Sequence, residues 1–132
     1  MKSQNLAYAA GFVDGEGCFQ IGKNGAVSLA VTNTSRAALE SLTTSLGVGK
    51  IARRNQRVNK TQWIWTAYGA ECVHSIMELM PYLIDKKPQA ETIIEFKRHR
   101  AKETAVGRYR ESPEKRMYFR DKIAALKKVD NV

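Results

Sequence analysis

The chain has 132 residues, of which 43% are hydrophobic and 27% charged, with 22 Lys and Arg against 13 Asp and Glu for a formal net charge of +9. That length suits one globular domain around one core, and the composition excludes a disordered or fibrous chain. No apolar run approaches the roughly 20 residues that cross a bilayer, and the start lacks the layout of a secretory signal, so a soluble, intracellular protein without a membrane partner is expected.

Residues 5–14, NLAYAAGFVD, predict a helix that is apolar on almost every side. Such a helix packs on more than one surface, here on its own core and on a partner. Ala9, Ala10, Gly11 and Val13 are the expected contact with that partner, because small residues let two backbones approach closely. Gly15 and Gly17 are expected to end the helix.

Two strand-like runs follow, CFQIGKN and AVSLAVTN, in which Phe19 and Ile21, then Val27, Leu29 and Val31, alternate with polar or small residues. Asn24-Gly25 between them predicts a tight hairpin. Ser35 is placed to cap a helix carrying Leu39, Leu42 and Leu46, with Gly47 as its stop. A second hairpin spans GKIARRNQR and TQWIWTAY around a polar turn near residues 58–60; its alternation leaves the face of Trp63 and Trp65 open. A third helix is expected from about Glu71, with Val73, Ile76, Met77, Met80 and Leu83 at helical spacing and Pro81 near its end. Another helix then passes through Ile93, Ile94 and Lys97. The last starts near Ser112, with Pro113 in first position and Phe119, Ile123 and Leu126 as its apolar stripe.

The order helix, strand pair, helix, strand pair, helix predicts an α+β fold, with a four-stranded antiparallel sheet covered by helices on one face and C-terminal helices beyond. It forms a single domain over residues 1–132, with a core to about residue 100 and a basic extension over about 101–132. The uncovered sheet face would carry Gln20, Asn24, Ser28, Thr32 and Arg54. A β-ribbon furnished with such side chains fits the DNA major groove. Arg53, Arg57, Lys60 and Gln62 of the second hairpin join this candidate surface.

Charge clustering agrees: residues 50–60 hold Lys50, Arg53, Arg54, Arg57 and Lys60 without an acid, and residues 97–128 hold twelve basic side chains against four acids. Neutralised phosphates release condensed counterions, so clustered basic charge is a nucleic-acid footprint. Cys18 and Cys72 are too few for a disulfide scaffold and read as two small buried side chains in a reducing compartment. His74 and His99 stand alone and receive no ligand role.

AAGFVDGEG at residues 9–17 resembles the signature of the LAGLIDADG homing endonucleases: Ala10, Gly11, Asp14 and Gly17 match it, and Phe12, Val13 and Glu16 are conservative replacements. VTNTSR at 31–36, LGVGKI at 46–51, PYLIDKKPQAE at 81–91 and ESPEKRMYFRDKIAALKK at 111–128 extend the resemblance, in order, along nearly the whole chain, toward the single-motif homodimeric branch.

The resemblance implies an αββαββα fold and a homodimer that cuts both strands of a long, near-palindromic duplex by metal-dependent phosphodiester hydrolysis. It implies Glu16 as metal ligand, the Gly15 carbonyl as a second ligand, and Asp14 as structural. Lys86 corresponds to an active-site lysine; Asn33, where the family has a longer polar residue such as glutamine, and Arg36 lie at the catalytic periphery. The cofactor implied is Mg²⁺, with Mn²⁺ or Ca²⁺ able to occupy the site in vitro. One acid per chain becomes a pair when two motif helices pack side by side. A ribbon of roughly 8 residues at ~3.3 Å each covers about 8 base pairs per subunit, so a dimer would read roughly 15 or more. The expected location is an organelle (chloroplast or mitochondrion) or the bacterial cytoplasm. Two other readings on the same fold stay open: an RNA-splicing maturase with intron RNA as partner, and a non-cleaving DNA-binding regulator.

Overall fold

A computed structural model describes residues 2–54, 61–105 and 112–130 of the chain. Helix α1 (Lys2–Glu16) is longer at both ends than its apolar pattern suggested, and Gly15 lies inside it. It turns without a loop into β1 (Gly17–Ile21), followed by β2 (Val27–Asn33), α2 (Arg36–Leu46), β3 (Lys50–Arg54), β4 (Gln62–Tyr68), α3 (Ala70–Leu79), α4 (Lys87–Ala105) and α5 (Pro113–Asp130). The αββαββα order is as expected.

Several local signals act as their chemistry requires. Ser35 Oγ accepts the N–H of Ala38, and Gly47 closes α2 in the left-handed region at φ 73°. Ser112 Oγ likewise accepts the N–H of Lys115 ahead of Pro113. The first hairpin is looser than a two-residue turn: residues 22–26 connect the strands, Gly25 N–H reaches Gly22 O at 2.9 Å, and Gly25 takes φ 88°. Asn24 therefore sits in the turn and off the sheet face, its side-chain oxygen accepting the N–H of Ala26. The turn expected at residues 58–60 lies outside the described residues.

The sheet order is β1-β2-β4-β3, all antiparallel. Register settles the faces. Phe19, Ile21, Val27, Leu29, Val31, Trp65 and Ala67 are buried under the helices. Trp63 shares that face, since it lies two residues from Trp65 and opposite Asn33 and Arg53. Trp65 is fully buried and donates its indole N–H to Val48 O at 3.2 Å. A tryptophan removes about 200 Å² from water, on the order of 5 kcal/mol before entropy is counted.

The buried stripe of α3 is Cys72, Ser75, Ile76 and Leu79; Met77 is exposed, and Val73 and Met80 are only half-buried. The stripe is turned by one position from the expected one because both choices have helical spacing and only docking selects between them. The boundary expected near residue 100 falls inside α4, and Phe119 and Ile123 of α5 join the same core cluster as the sheet residues.

Two glycines are dictated by close approach. A Cβ on Gly17 would come within 2.7 Å of the Val13 carbonyl oxygen, at the junction where helix becomes strand. Gly49 has φ 96°, and a Cβ there would run into the Trp65 indole. Gly49→Ala is expected to lower stability by about 2 kcal/mol or more, from overpacking plus left-handed strain, with altered tryptophan fluorescence. Denaturant unfolding followed by that emission checks it, and an unchanged midpoint would remove the packing role given to Gly49.

Candidate active site

The helices meet the sheet so that one end of it collects the chemistry. Gly17 of β1 pairs with Val31, so Glu16 arrives beside the end of β2, where Thr32 and Asn33 lie; Gln62 opens β4 and Arg54 closes β3 at this same end. Glu16 is exposed, as the last residue of α1.

Asp14, two residues earlier, is fully engaged. Its carboxylate accepts the N–H of Ile84 at 2.9 Å and of Lys86 at 3.0 Å, while Lys86 Nζ donates to the Asp14 carbonyl oxygen at 2.5 Å. The structural role expected for Asp14 is what the geometry shows. The loop between α3 and α4 is thereby stapled to the end of α1, and the half-buried Lys86 is brought to within two residues of Glu16. A cation at a helix C-terminus also meets the negative end of the helix dipole.

Asn33 Oδ1 accepts the Ser35 N–H at 2.7 Å, forming the turn into α2, and its register puts it on the helix face of the sheet. Arg36 opens α2; it pairs with Glu40 at 2.9 Å and lies 4.7 Å from the Trp63 ring centre. Both residues stand near the Glu16 end, each with a structural partner of its own.

The donor set suits a hard cation sparingly. Among the described residues no three His, Cys, Asp or Glu side chains cluster. The last four carbonyls of a helix have no intrahelical donor; in α1 that of Asp14 takes Lys86, and that of Gly15 belongs to the same set beside the Glu16 carboxylate. One carboxylate and one carbonyl per chain fit Mg²⁺, which commonly keeps water and phosphate in its remaining positions.

The uncovered face carries Gln20, Ser28, Thr32, Arg54 and Gln62, as expected. Arg53 does not belong with them: alternation directs it to the Trp63 side, where Nη2 donates to Thr61 Oγ1 at 3.4 Å. Arg57 and Lys60 lie outside the described residues. Lys50, Thr66 and the 66% exposed Tyr68 also lie on the open face, with Cys18, Ala30, Ala52 and Ile64 among them; Thr66 and Tyr68 were missed, and counting in twos from Gln62 would have found both.

The contact expected between paired helices needs correction. Ala9, Ala10 and Val13 are 2%, 0% and 0% exposed within the single chain, so they pack on its own core. The exposed stripe of α1 is Gln4, Ala7, Tyr8, Gly11 and Gly15, and a Cβ on Gly11 would meet nothing within 4 Å. Of the four residues expected there, only Gly11 is on the outside.

Cys18 also departs from expectation: it is half-buried on the open face, with Lys127 Nζ 3.4 Å from its sulfur. Cys72 is buried, and desolvation pushes its thiol up to about 12, with Lys97 pulling weakly the other way. The thiolate is the reactive form, so a maleimide at pH 8 is expected to modify one cysteine in the native protein and two after unfolding. Mass spectrometry reads the count; rapid native labelling of Cys72 would contradict its burial.

A family model described as LAGLIDADG endonuclease matches residues 9–100, and the chain belongs to that family. The homing endonuclease I-CvuI, solved in complex with its target in the presence of 2 mM Ca, is similar at 25% identity with TM-score 0.73, covering 95% of this chain and 83% of that one. The LAGLIDADG meganuclease I-AabMI, bound to uncleaved DNA, is 27% identical with TM-score 0.60, over 74% of this chain and 38% of that one. The archaeal intron-encoded homing endonuclease I-Vdi141I, complexed with DNA, shares the fold at 18% identity and TM-score 0.59, over 95% and 99% of the two chains. No curated protein matches the sequence. The architecture is that of the LAGLIDADG homing endonucleases.

Proposed function

We propose that this chain is a site-specific DNA endonuclease of the homing type, which dimerises through α1 and cuts both strands of a long, near-palindromic duplex with Mg²⁺. The observation that carries the reading is the convergence of Glu16, the Gly15 carbonyl and Lys86 at one helix end, beside an uncovered, hydrogen-bonding sheet face. Membership of the family, and relatives solved on DNA, support it.

Glu16 and the Gly15 carbonyl would hold the cation, which when bound supplies Lewis acidity toward a phosphate oxygen and acidifies water. Lys86, fixed by Asp14, places a positive charge where a phosphoryl oxygen gains negative charge. Asn33 and Arg36 border the reacting group. Gln20, Ser28, Thr32, Arg54 and Gln62 read base edges in the major groove, while basic side chains meet phosphates. A two-fold axis through paired α1 helices would give each strand one Glu16, and symmetry then requires a near-palindromic site. The small exposed residues Ala7, Gly11 and Gly15 suit that close approach. An intron-encoded gene and an organellar or bacterial setting belong to the same proposal.

Glu16→Gln is expected to reduce cleavage by at least ~10³-fold in Mg²⁺ while leaving duplex affinity within severalfold. Linearisation of plasmids carrying candidate insertion sites, run beside a mobility-shift assay, measures both; cutting that survives the substitution sinks the metal role. A wild-type protein that binds one site tightly and never nicks it would favour the regulator.

Gly11→Leu tests the pairing. The side chain has room in the single chain, so folding should be retained, but two backbones could no longer approach. Light scattering should find a monomer where the wild type is a dimer, and double-strand cutting should fall with it. Dimers that persist would place the axis elsewhere.

A further inference from the structure

Strand β1 lies at one margin of the sheet. A margin leaves backbone groups without a strand partner, and proteins cover or block such edges. Here the covering comes from basic side chains. Arg120 Nε donates to Ile21 O at 3.0 Å, Arg116 Nη1 to Lys23 O at 3.0 Å, and Arg100 Nη1, from α4, to Gly25 O at 3.0 Å. Lys127 Nζ lies 3.4 Å from Cys18 Sγ.

These contacts form a register. From Arg120 to Lys127 a helix advances ~10.5 Å at ~1.5 Å per residue, and from Ile21 to Cys18 a strand advances ~10 Å at ~3.3 Å per residue; Arg116, one helical turn before Arg120, meets Lys23 in the hairpin turn. Helix α5 therefore runs antiparallel to the first reading strand and grips it from Cys18 to the hairpin turn. The strand and the turn have β2 on one side only, so their position depends on this grip.

We propose that Arg116 and Arg120 are positioning residues for sequence recognition: by holding the outer edge of β1 and its turn, they set where Gln20 and the hairpin meet the outer base pairs of each half-site. The proposal rests on the DNA-reading function above. Base-edge hydrogen bonds need side chains placed within about 0.5 Å; Arg120 donates to the last carbonyl of the strand that carries Gln20, and Arg116 to the turn that follows it. Strand β1 runs five residues, or ~17 Å, beyond Glu16 before the turn begins, so the turn corresponds to base pairs roughly five or more steps from the Glu16 end.

The test uses the full chain and a library of ~24-base-pair duplexes, randomised across both half-sites, selected for binding and sequenced. For the Arg116→Met/Arg120→Met variant, base discrimination at the outer positions is expected to fall roughly tenfold. Inner preferences and the dependence of affinity on salt should stay as in the wild type. The Arg116→Lys/Arg120→Lys variant, which keeps an N–H donor at each site, should recover much of the outer discrimination, and Arg116→Met alone, which leaves Arg120 in place, should blur only the outermost positions. Uniform weakening across all sequences with a shallower salt slope would make these arginines phosphate contacts and overturn the proposal. Unchanged discrimination with only a lower Tm would reduce them to edge cover and overturn it equally. A wild type that selects no sequence would instead defeat the DNA-reading function, and the proposal with it.

Discussion

The three hydrogen bonds between Asp14 and residues 84–86 are what the rest of the site depends on. Each joins a charged group to a backbone group, a class of bond that contributes about 1.5–3 kcal/mol. Their effect is positional before it is energetic. Segments 70 and 72 residues apart in the chain are fastened at the point where α1 becomes β1. Lys86 is therefore presented beside Glu16 by the backbone. Removing the Asp14 carboxylate would leave two backbone N–H groups without their acceptor and loosen the loop that carries the lysine.

The junction also explains the polarity of the sheet. Helix α1 runs straight into β1 with Gly17 against the Val13 carbonyl, so there is no slack between the Glu16 end of the helix and the first strand. The β2 end, the β4 start and the β3 end then fall at the same margin. Glu16, Asn33, Gln62 and Arg54 sit at one end and the hairpin turn at the other. The sheet between is apolar above, where the helices lie, and hydrogen-bonding below. In the proposed function, a duplex lying along that lower face meets Glu16 and Lys86 near its middle and the turn toward its flank. Helix α5 closes the edge of β1 that no strand covers.

Much of this was legible in the residues themselves. Period-two alternation placed Phe19, Ile21, Val27, Leu29 and Val31 inside and Gln20, Ser28 and Thr32 outside, because a strand has two faces and the sequence must distinguish them. Ser35, Gly47 and Pro113 marked helix ends through groups that act on their immediate neighbours. The roles of Asp14, as structural, and of Glu16 and Lys86, as candidates at one site, came from the motif and its companions along the chain. Where the pattern was symmetric, the sequence was silent. Helix α1 is apolar all round, so nothing local said that Ala9, Ala10 and Val13 face inward and Gly11 outward. Trp63 and Trp65 could have stood on either face until pairing with Asn33, Val31 and Ile51 fixed them.

By itself, then, the sequence determined the order of elements, the sheet and its helical cover, the basic and hydrogen-bonding face, and the acid at the end of α1. These depend on local periodicity, capping chemistry and charge, which act between near neighbours. Only the tertiary structure decided which stripe of α1 is left exposed, that Arg53 turns away from Arg54's face, that Asn24 belongs to a turn, and that arginines of α5 hold the rim of β1. Those outcomes depend on contacts between segments far apart in the chain, and such contacts exist only once the core has chosen which of several equivalent surfaces to bury.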